Sequence, residues 1–439
     1  MKKFLLYTLL VMITTLSGCK KDLTNRFYNP DKLSQAVGDP VPGLFTSTLN
    51  NVYINLEDYF EWYYLLADGM GVQGYIQLCN RYVSYRYNWY SNYNNLVNGN
   101  GIGGFEDYGF TSVGGHIAFE NTYQFLKSWE TIKGLMDTRT GQAKQDANMY
   151  FKLVSVIKCF QVCRLVDLCN SVPYFDAFQG STGGPTHYFP AYDDPQKIYE
   201  SVIDQLGNLV DSLPVFYNQM SSTAQSTLAN QDLAFKGDIG KWVEYANALR
   251  LKLLVRISGV DEAFVKQRLP KVFEAPLPTQ DLYWQTPSPT DLQNGITWQR
   301  GIRDQPYTTF MTGIIMKRLN YGTAAYEPGT DDPRLPVLAF PTYHHDYRAI
   351  SYNIDSQTVI YNSGEHYYPY ADDINSSLTQ NAKSMYSLVT FHNNPYLPVF
   401  MFTLGQLDLL EAEIELKGLA PTGKTADQHI RDEVIHSTK

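Results

Sequence analysis

The stretch QDANMYFKLVSVIKCFQVCRLVDL, Gln145 to Leu168, constrains this chain more than any other. Its apolar residues fall on nearly every side of a 3.6-residue period, so as a helix it has no wet face. Such a helix forms only where neighbours cover it on several sides, and the sequence supplies them. In DDPQKIYESVIDQLGNLVDSLP, Asp194 takes the N-cap position and Pro195 the first helical position. Ile198, Val202, Leu206, Leu209 and Leu213 then recur at three and four, and Pro214 is expected to stop the helix. In KWVEYANALRLKLLVRIS, Trp242, Ala246, Leu249, Leu253 and Ile257 share one face, with Glu244, Arg250 and Lys252 elsewhere. Further helices are expected over 43–56, 58–67, 117–136, 261–275, 307–319 and 404–418. Strand signals are short, TVIYN and LAFPT. The expected fold class is mainly α, an irregular bundle or superhelix of paired helices joined by long loops. No strict 34-residue period appears, so any repeats are irregular.

Four loops, about 80–115, 170–193, 276–306 and 320–400, are rich in Tyr, Asn, Gly and Pro. Loops of that length carry function or are disordered, and their aromatic content argues against disorder. The segment NRYVSYRYNWYSNYNNLVNGNGIGG sets one Trp and seven Asn among tyrosines, with no acidic residue. The whole chain has 34 Tyr against 6 Trp. Tyr combines a ring face with a hydroxyl on a stiff side chain, which suits a binding surface. Sugars present C–H faces to rings and hydroxyls to carboxamides, and a peptide backbone is served by the same amides. The candidate ligand contacts are Trp89, Tyr90, Tyr93 and Asn94 in the first loop. Trp284 and Trp298, with Arg303 as a polar clamp, are the candidates in DLYWQTPSPTDLQNGITWQRGIRDQP. Trp62 and Trp129 lie on apolar helical faces and, with Trp242, read as core.

The N-terminus speaks to compartment. MKKFLLYTLLVMITTLSGC opens with Lys2 and Lys3 and continues in an apolar run too short to span a bilayer. It closes in Leu16-Ser17-Gly18-Cys19, the pattern of a bacterial lipobox, in which the cysteine becomes the acylated N-terminus. Residues 1–18 then read as a lipoprotein signal peptide, with 19–30 a tether and 19–439 a single domain. Cys19 is the expected lipid anchor, palmitate-labelled and membrane-bound. Lys20 and Lys21 follow it rather than Asp, which favours the outer membrane and cell surface. A net charge of -9 argues against nucleic-acid partners. Cys159, Cys163 and Cys169 sit among Phe, Val and Leu and read as small buried hydrophobes.

Five blocks, in order, resemble one family: CRLVDLCNSVPYFDA, FPAYDDPQKIYESVIDQL, DLAFKGDIGKWVEYANALRLKLLVRISGVD, DDPRLPVLAFP and HNNPYLPVFMFTLGQLDLLEAEIELKGLAPTG. The third, with its Gly-Asp-x-x-Lys-Trp, is the most specific. Together with the lipobox, the chain resembles the SusD/RagB family of nutrient-binding outer-membrane lipoproteins. The resemblance implies tetratricopeptide-like helix pairs under an irregular ligand-binding face. It also implies oligosaccharide or peptide ligands and a SusC-like, TonB-dependent β-barrel partner. The family offers no catalytic residues, so no enzymatic activity is expected. Against the family pattern the C-terminus looks shortened.

The alternative function is a surface hydrolase, a glycosidase with paired carboxylates about 5–9.5 Å apart. No GxSxG, HExxH or P-loop pattern occurs. GMGVQG, Gly69 to Gly74, fits GxGxxG but lacks a βαβ setting. His344, His345 and Asp346 in YHHDY read as an exposed loop. No cofactor is expected; the conceivable ions are a metal at His344, His345 and Asp346 and calcium at the Asp pairs 331–332 or 372–373, which otherwise read as caps and turns.

Overall fold

A computed structural model describes residues 38–53, 83–85, 114–180, 185–284, 309–311, 313–321, 325–342, 344–349, 384–387, 390 and 398–437. Helix α1 spans Pro40–Tyr53, α2 Gly114–Asp137 and α3 Gly141–Cys169. Helix α4 runs Pro195–Asn218, α5 Ser222–Gln231 and α6 Ile239–Ile257. The long helices close with α7, Glu262–Glu274, α8, Leu404–Leu416, and α9, Ala426–Ser437. Each of α4 to α8 starts at a side chain that accepts a hydrogen bond from a first-turn N–H: Asp194, Ser221, Asp238, Asp261 and Thr403. No helix among the described residues is long and apolar enough to cross a membrane.

The helices pack in sequence order. α2 lies on α3, α3 on α4, α4 on α6, and α6 on α7 and α8; α8 pairs with α9, and α1 covers α2 and α3. Helix α3, lacking a wet face, sits where α1, α2 and α4 enclose it. Its Leu153, Val154, Val156, Ile157, Cys159 and Cys163 are buried in the main core, as their all-round pattern requires. Burial pushes the Cys159 thiol up to about 12 and Cys163 well above its ordinary value, so both behave as small hydrophobes. A glycine makes room for one long side chain from a neighbouring helix. A Cβ at Gly207 of α4 would stand 2.9 Å from the guanidinium carbon of Arg250 on α6.

The block DLAFKGDIGKW is a turn organised by one carboxylate. Asp232 is buried and accepts from the N–H groups of Ala234, Phe235 and Gly237, at 3.1, 3.1 and 2.9 Å. Its Oδ2 also accepts from the indole Nε1 of Trp242, at 2.8 Å. Lys236 and Gly237 both have positive φ, and a Cβ at Gly237 would meet the Ala229 backbone at 3.0 Å. Trp242 is 0 % exposed and packs against Phe45, Phe235 and Tyr245.

Strands are short. β1, Val83–Tyr85, pairs antiparallel with β3, Thr309–Met311, and β4, Ala339–Phe340, with β5, Met385–Tyr386, which joins β3. β2, Leu282–Trp284, pairs antiparallel with β6, Val399–Phe402, with an irregularity that sets Tyr283 opposite Phe400. A second apolar cluster of Met311, Met316, Leu319, Leu335 and Ala339 lies beside the four-stranded sheet.

Two expectations are corrected. Pro214 does not end α4, which continues to Asn218. Proline removes one N–H from the ladder, but Phe216 and Tyr217 beyond it pack on the core and Lys152 lies over the Phe216 ring. The helix expected at 307–319 divides, with 309–311 captured as a strand between β1 and β5 and only Gly313–Leu319 helical. Helices 117–136, 261–275 and 404–418 are found within a few residues of their expected bounds, and LAFPT contributes β4. The helix expected at 58–67 and the strand TVIYN lie outside the described residues.

Candidate functional site

Cys19, Trp89, Tyr90, Tyr93, Asn94, Trp298 and Arg303 lie outside the described residues, as do Trp62 and the GMGVQG segment. Trp284 is described, and it is a correction. It is 2 % exposed and belongs to the main core. Alternation along β2 turns Leu282 and Trp284 inward and Tyr283 outward. Across the ribbon, Phe400 is also exposed, and the two rings meet edge to face with centroids 6.3 Å apart. The outward ring of this strand is therefore Tyr283.

A larger aromatic surface is built by the segment 172–193. Helix α3 ends at Asn170, whose φ of 65° turns the chain while its N–H bonds Val166 O at 2.8 Å. The chain leaves through Val172 and returns through Asp193, whose N–H donates to Val172 O at 3.0 Å. The Asp193 carboxylate then accepts from the N–H groups of Tyr174 and Phe175, at 2.7 and 2.9 Å. One residue thus ties both ends of the loop. Between them Phe175, Tyr188, Phe189 and Tyr192 are exposed, Phe189 at 83 %.

Beneath Tyr192 runs a ladder of aromatics from α2 and from the loop itself. Phe119 stacks on Tyr192 at 6.3 Å and meets Tyr123 at 4.8 Å. Phe178 bridges Tyr123 and Trp129 at 5.7 and 6.1 Å. The Trp129 indole donates to Ser155 Oγ at 3.0 Å, and the Tyr123 hydroxyl donates to Pro173 O. Trp129 thus packs against the core, as its helical position predicts. The sequence marks 170–193 as an aromatic loop; the spacing alone did not single out which rings face solvent.

Lys158 lies under this surface, its Nζ 3.8 Å from the Trp129 ring centroid and 4.7 Å from that of Tyr174. Burial pulls its pKa from 10.5 down to about 8, with Cys159 and Glu130 opposing and Lys133 adding. The unfolded chain therefore binds the extra proton between those two values, and stability rises with pH across that window. The melting temperature of the wild type, relative to Lys158→Met, should rise from about pH 8 to about 10.5. Parallel pH profiles for the two proteins would remove this account.

The remaining polar features are structural. The groove between α4 and α7, about 610 Å³, is lined by Lys197, Glu200, Asp204, Phe264 and Arg268. Its Arg268 is held two-pronged by Asp204 at 2.7 and 2.9 Å. Asp331 accepts from the N–H groups of Tyr321 and Glu327, both at 2.8 Å, and Asp332 pairs with Arg334 at 2.7 Å, the turn-forming use of an Asp pair. Asp346 pairs with Arg348 at 2.7 Å, beside His345 at a φ of 63°.

Against known proteins, a family model, SusD-like_2, described as starch-binding and associating with the outer membrane, matches residues 73–439. No curated protein matches the chain. Among solved structures, a SusD homologue from Bacteroides vulgatus superposes with a TM-score of 0.63 at 17 % identity, over 90 % of this chain and 69 % of that one. A homologue from Bacteroides uniformis gives 0.59 at 16 %, covering 91 % and 70 %. A homologue from Flavobacterium johnsoniae described as chitin-binding gives 0.56 at 19 %, also over 91 % and 70 %. These likenesses are likenesses of fold.

Proposed function

This chain belongs to the SusD-like family, and from that premise we propose that it is a non-catalytic lipoprotein that captures oligosaccharide at the cell surface. In this reading Cys19 carries the acyl chains, and the captured sugar passes to a SusC-like, TonB-dependent β-barrel in the outer membrane. The observation that carries the proposal is the set of exposed rings Phe175, Tyr188, Phe189 and Tyr192 on a loop whose neck Asp193 closes and whose Tyr192 stacks on Phe119 of α2. Exposed rings of this kind can stack on pyranose C–H faces. The family description names starch, and the relative from Flavobacterium johnsoniae is described as chitin-binding; both are polymers of pyranose rings.

The test is a binding isotherm and a melting temperature for each of several variants, with oligosaccharides and peptides as ligands. A stacking ring contributes about 0.5–1.5 kcal/mol beyond its buried area, so each ring that touches ligand should weaken binding roughly two- to tenfold when truncated. Trp89→Ala, Trp298→Ala, Phe189→Ala and Tyr283→Ala are expected to include at least one that binds poorly and melts normally. Trp284→Ala should instead melt early, as a core truncation does. A protein that binds no oligosaccharide refutes the proposal, and binding peptide alone reassigns the ligand. Release of cleavage products would replace capture with hydrolysis.

A further inference from the structure

Helices α8 and α9 face each other through a ladder of carboxylates and histidines that the proposed glycan capture does not use. Asp408, Glu411 and Glu415 lie on one face of α8, at spacings of three and four. From α9 and the loop before it, His436 Nδ1 meets Asp408 Oδ2 at 2.6 Å, and Thr422 Oγ1 meets Glu415 Oε1 at 2.7 Å. Between these two rungs lies His429, 1 % exposed.

Hydrogen-bond arithmetic fixes the state of the His429 ring. Thr422 Oγ1 has one hydrogen, and its neighbours Glu415 Oε1 and Lys424 O, at 2.7 and 3.3 Å, only accept. That hydrogen is committed, so at the 2.7 Å contact with His429 Nε2 the hydroxyl must accept and the ring must donate. In the neutral ring Nδ1 then carries a bare lone pair. It is buried and makes no hydrogen bond, although Glu411 Oε2 lies 3.2 Å away. A lone pair facing a carboxylate oxygen at that distance is repulsive unless a positive centre sits between them. One ligand atom each from Asp408, Glu411 and His429 lie within 4.8 Å of one another.

We propose that Asp408, Glu411 and His429 bind a divalent transition-metal ion that pins α9 to α8. One imidazole nitrogen and two carboxylates form a donor set suited to zinc, or to cobalt as its spectroscopic substitute. Calcium and magnesium favour all-oxygen shells with more ligands. Zinc bonds of about 2.0–2.2 Å place tetrahedral donors about 3.4 Å apart. The His429–Glu411 separation of 3.2 Å already fits that edge, and the Asp408 donor lies within 4.8 Å of both. The ring's other nitrogen donates, through Thr422, toward Glu415, the outer hydrogen bond that orients a metal-bound histidine. Lys424, the nearby ammonium, is held by Asp432 at 2.7 Å.

The test uses the untagged full-length chain in mild detergent, stripped with chelator and titrated with zinc, cobalt or calcium chloride. One zinc or cobalt per chain is expected, with a visible cobalt absorption band, a raised melting temperature, and much weaker binding of calcium. Glu411→Gln, nearly isosteric, should weaken zinc binding at least about tenfold, while Asp427→Asn on the outer face of α9 should leave it unchanged. Circular dichroism separates lost binding from lost folding, and His429→Gln repeats the comparison from the other helix. No stoichiometric ion, or binding that Glu411→Gln leaves intact, overturns the proposal.

Discussion

Truncating Trp242 to Ala should cost about 3–5 kcal/mol of folding free energy, the range for a large buried aromatic. Truncating its partner Asp232 to Ala should cost a comparable amount, for a different reason. The carboxylate satisfies three buried donors, the Trp242 indole and the N–H groups of Ala234 and Phe235, and the part-buried N–H of Gly237. Each orphaned buried donor costs about 1–3 kcal/mol, so even the low end reaches about 3 kcal/mol. Asp238→Ala, which removes only the N-cap of α6, is the comparison and should cost about 1 kcal/mol. Guanidinium denaturation of the three variants reads the difference. Equal midpoints for Asp232→Ala and Asp238→Ala would show that the carboxylate does not organise this turn. The two large effects should also couple, because both act on one hydrogen bond and one packed ring.

The second large effect is all-or-none. Cys19→Ala should abolish labelling with radioactive palmitate and move the protein from the membrane fraction to the soluble one. Each buried CH₂ of an acyl chain contributes about 0.8 kcal/mol, so two long chains hold a protein almost permanently and none holds it hardly at all. The melting temperature should not change. Continued labelling of the Ala variant would refute the lipobox reading of Leu16 to Cys19.

What the sequence made legible were the features that local rules determine. Asp194 and Asp238 start helices because a short carboxylate accepts from first-turn N–H groups. Trp242, Ala246 and Leu249 are buried because a helical period puts them on one face. What failed depended on distant partners. Leu282, Tyr283 and Trp284 are all apolar, and three residues are too few to display alternation. Which of them turns inward is decided by β6, more than a hundred residues later. Thr309 to Met311 joined a strand because β1 and β5 offered unpaired backbone. The ladder on α8 and α9 gave no motif, since its donors come from two helices with a loop between them. The sequence named 170–193 among four loops but placed its candidate contacts in two others, and which rings of 170–193 are exposed depends on how Asp193 closes it.

That closure separates two histories. Because Asp193 gathers Val172, Tyr174 and Phe175 at the loop's neck, the exposed Tyr188 and Phe189 beyond it can be replaced without disturbing α3 or α4, whereas Phe178 and Tyr192 pack on α2. Each doubling of such a loop costs only about 0.6 kcal/mol in closure entropy. The neck makes the exposed part of the segment a cassette, free to drift in sequence while the scaffold stays under its own, stricter selection.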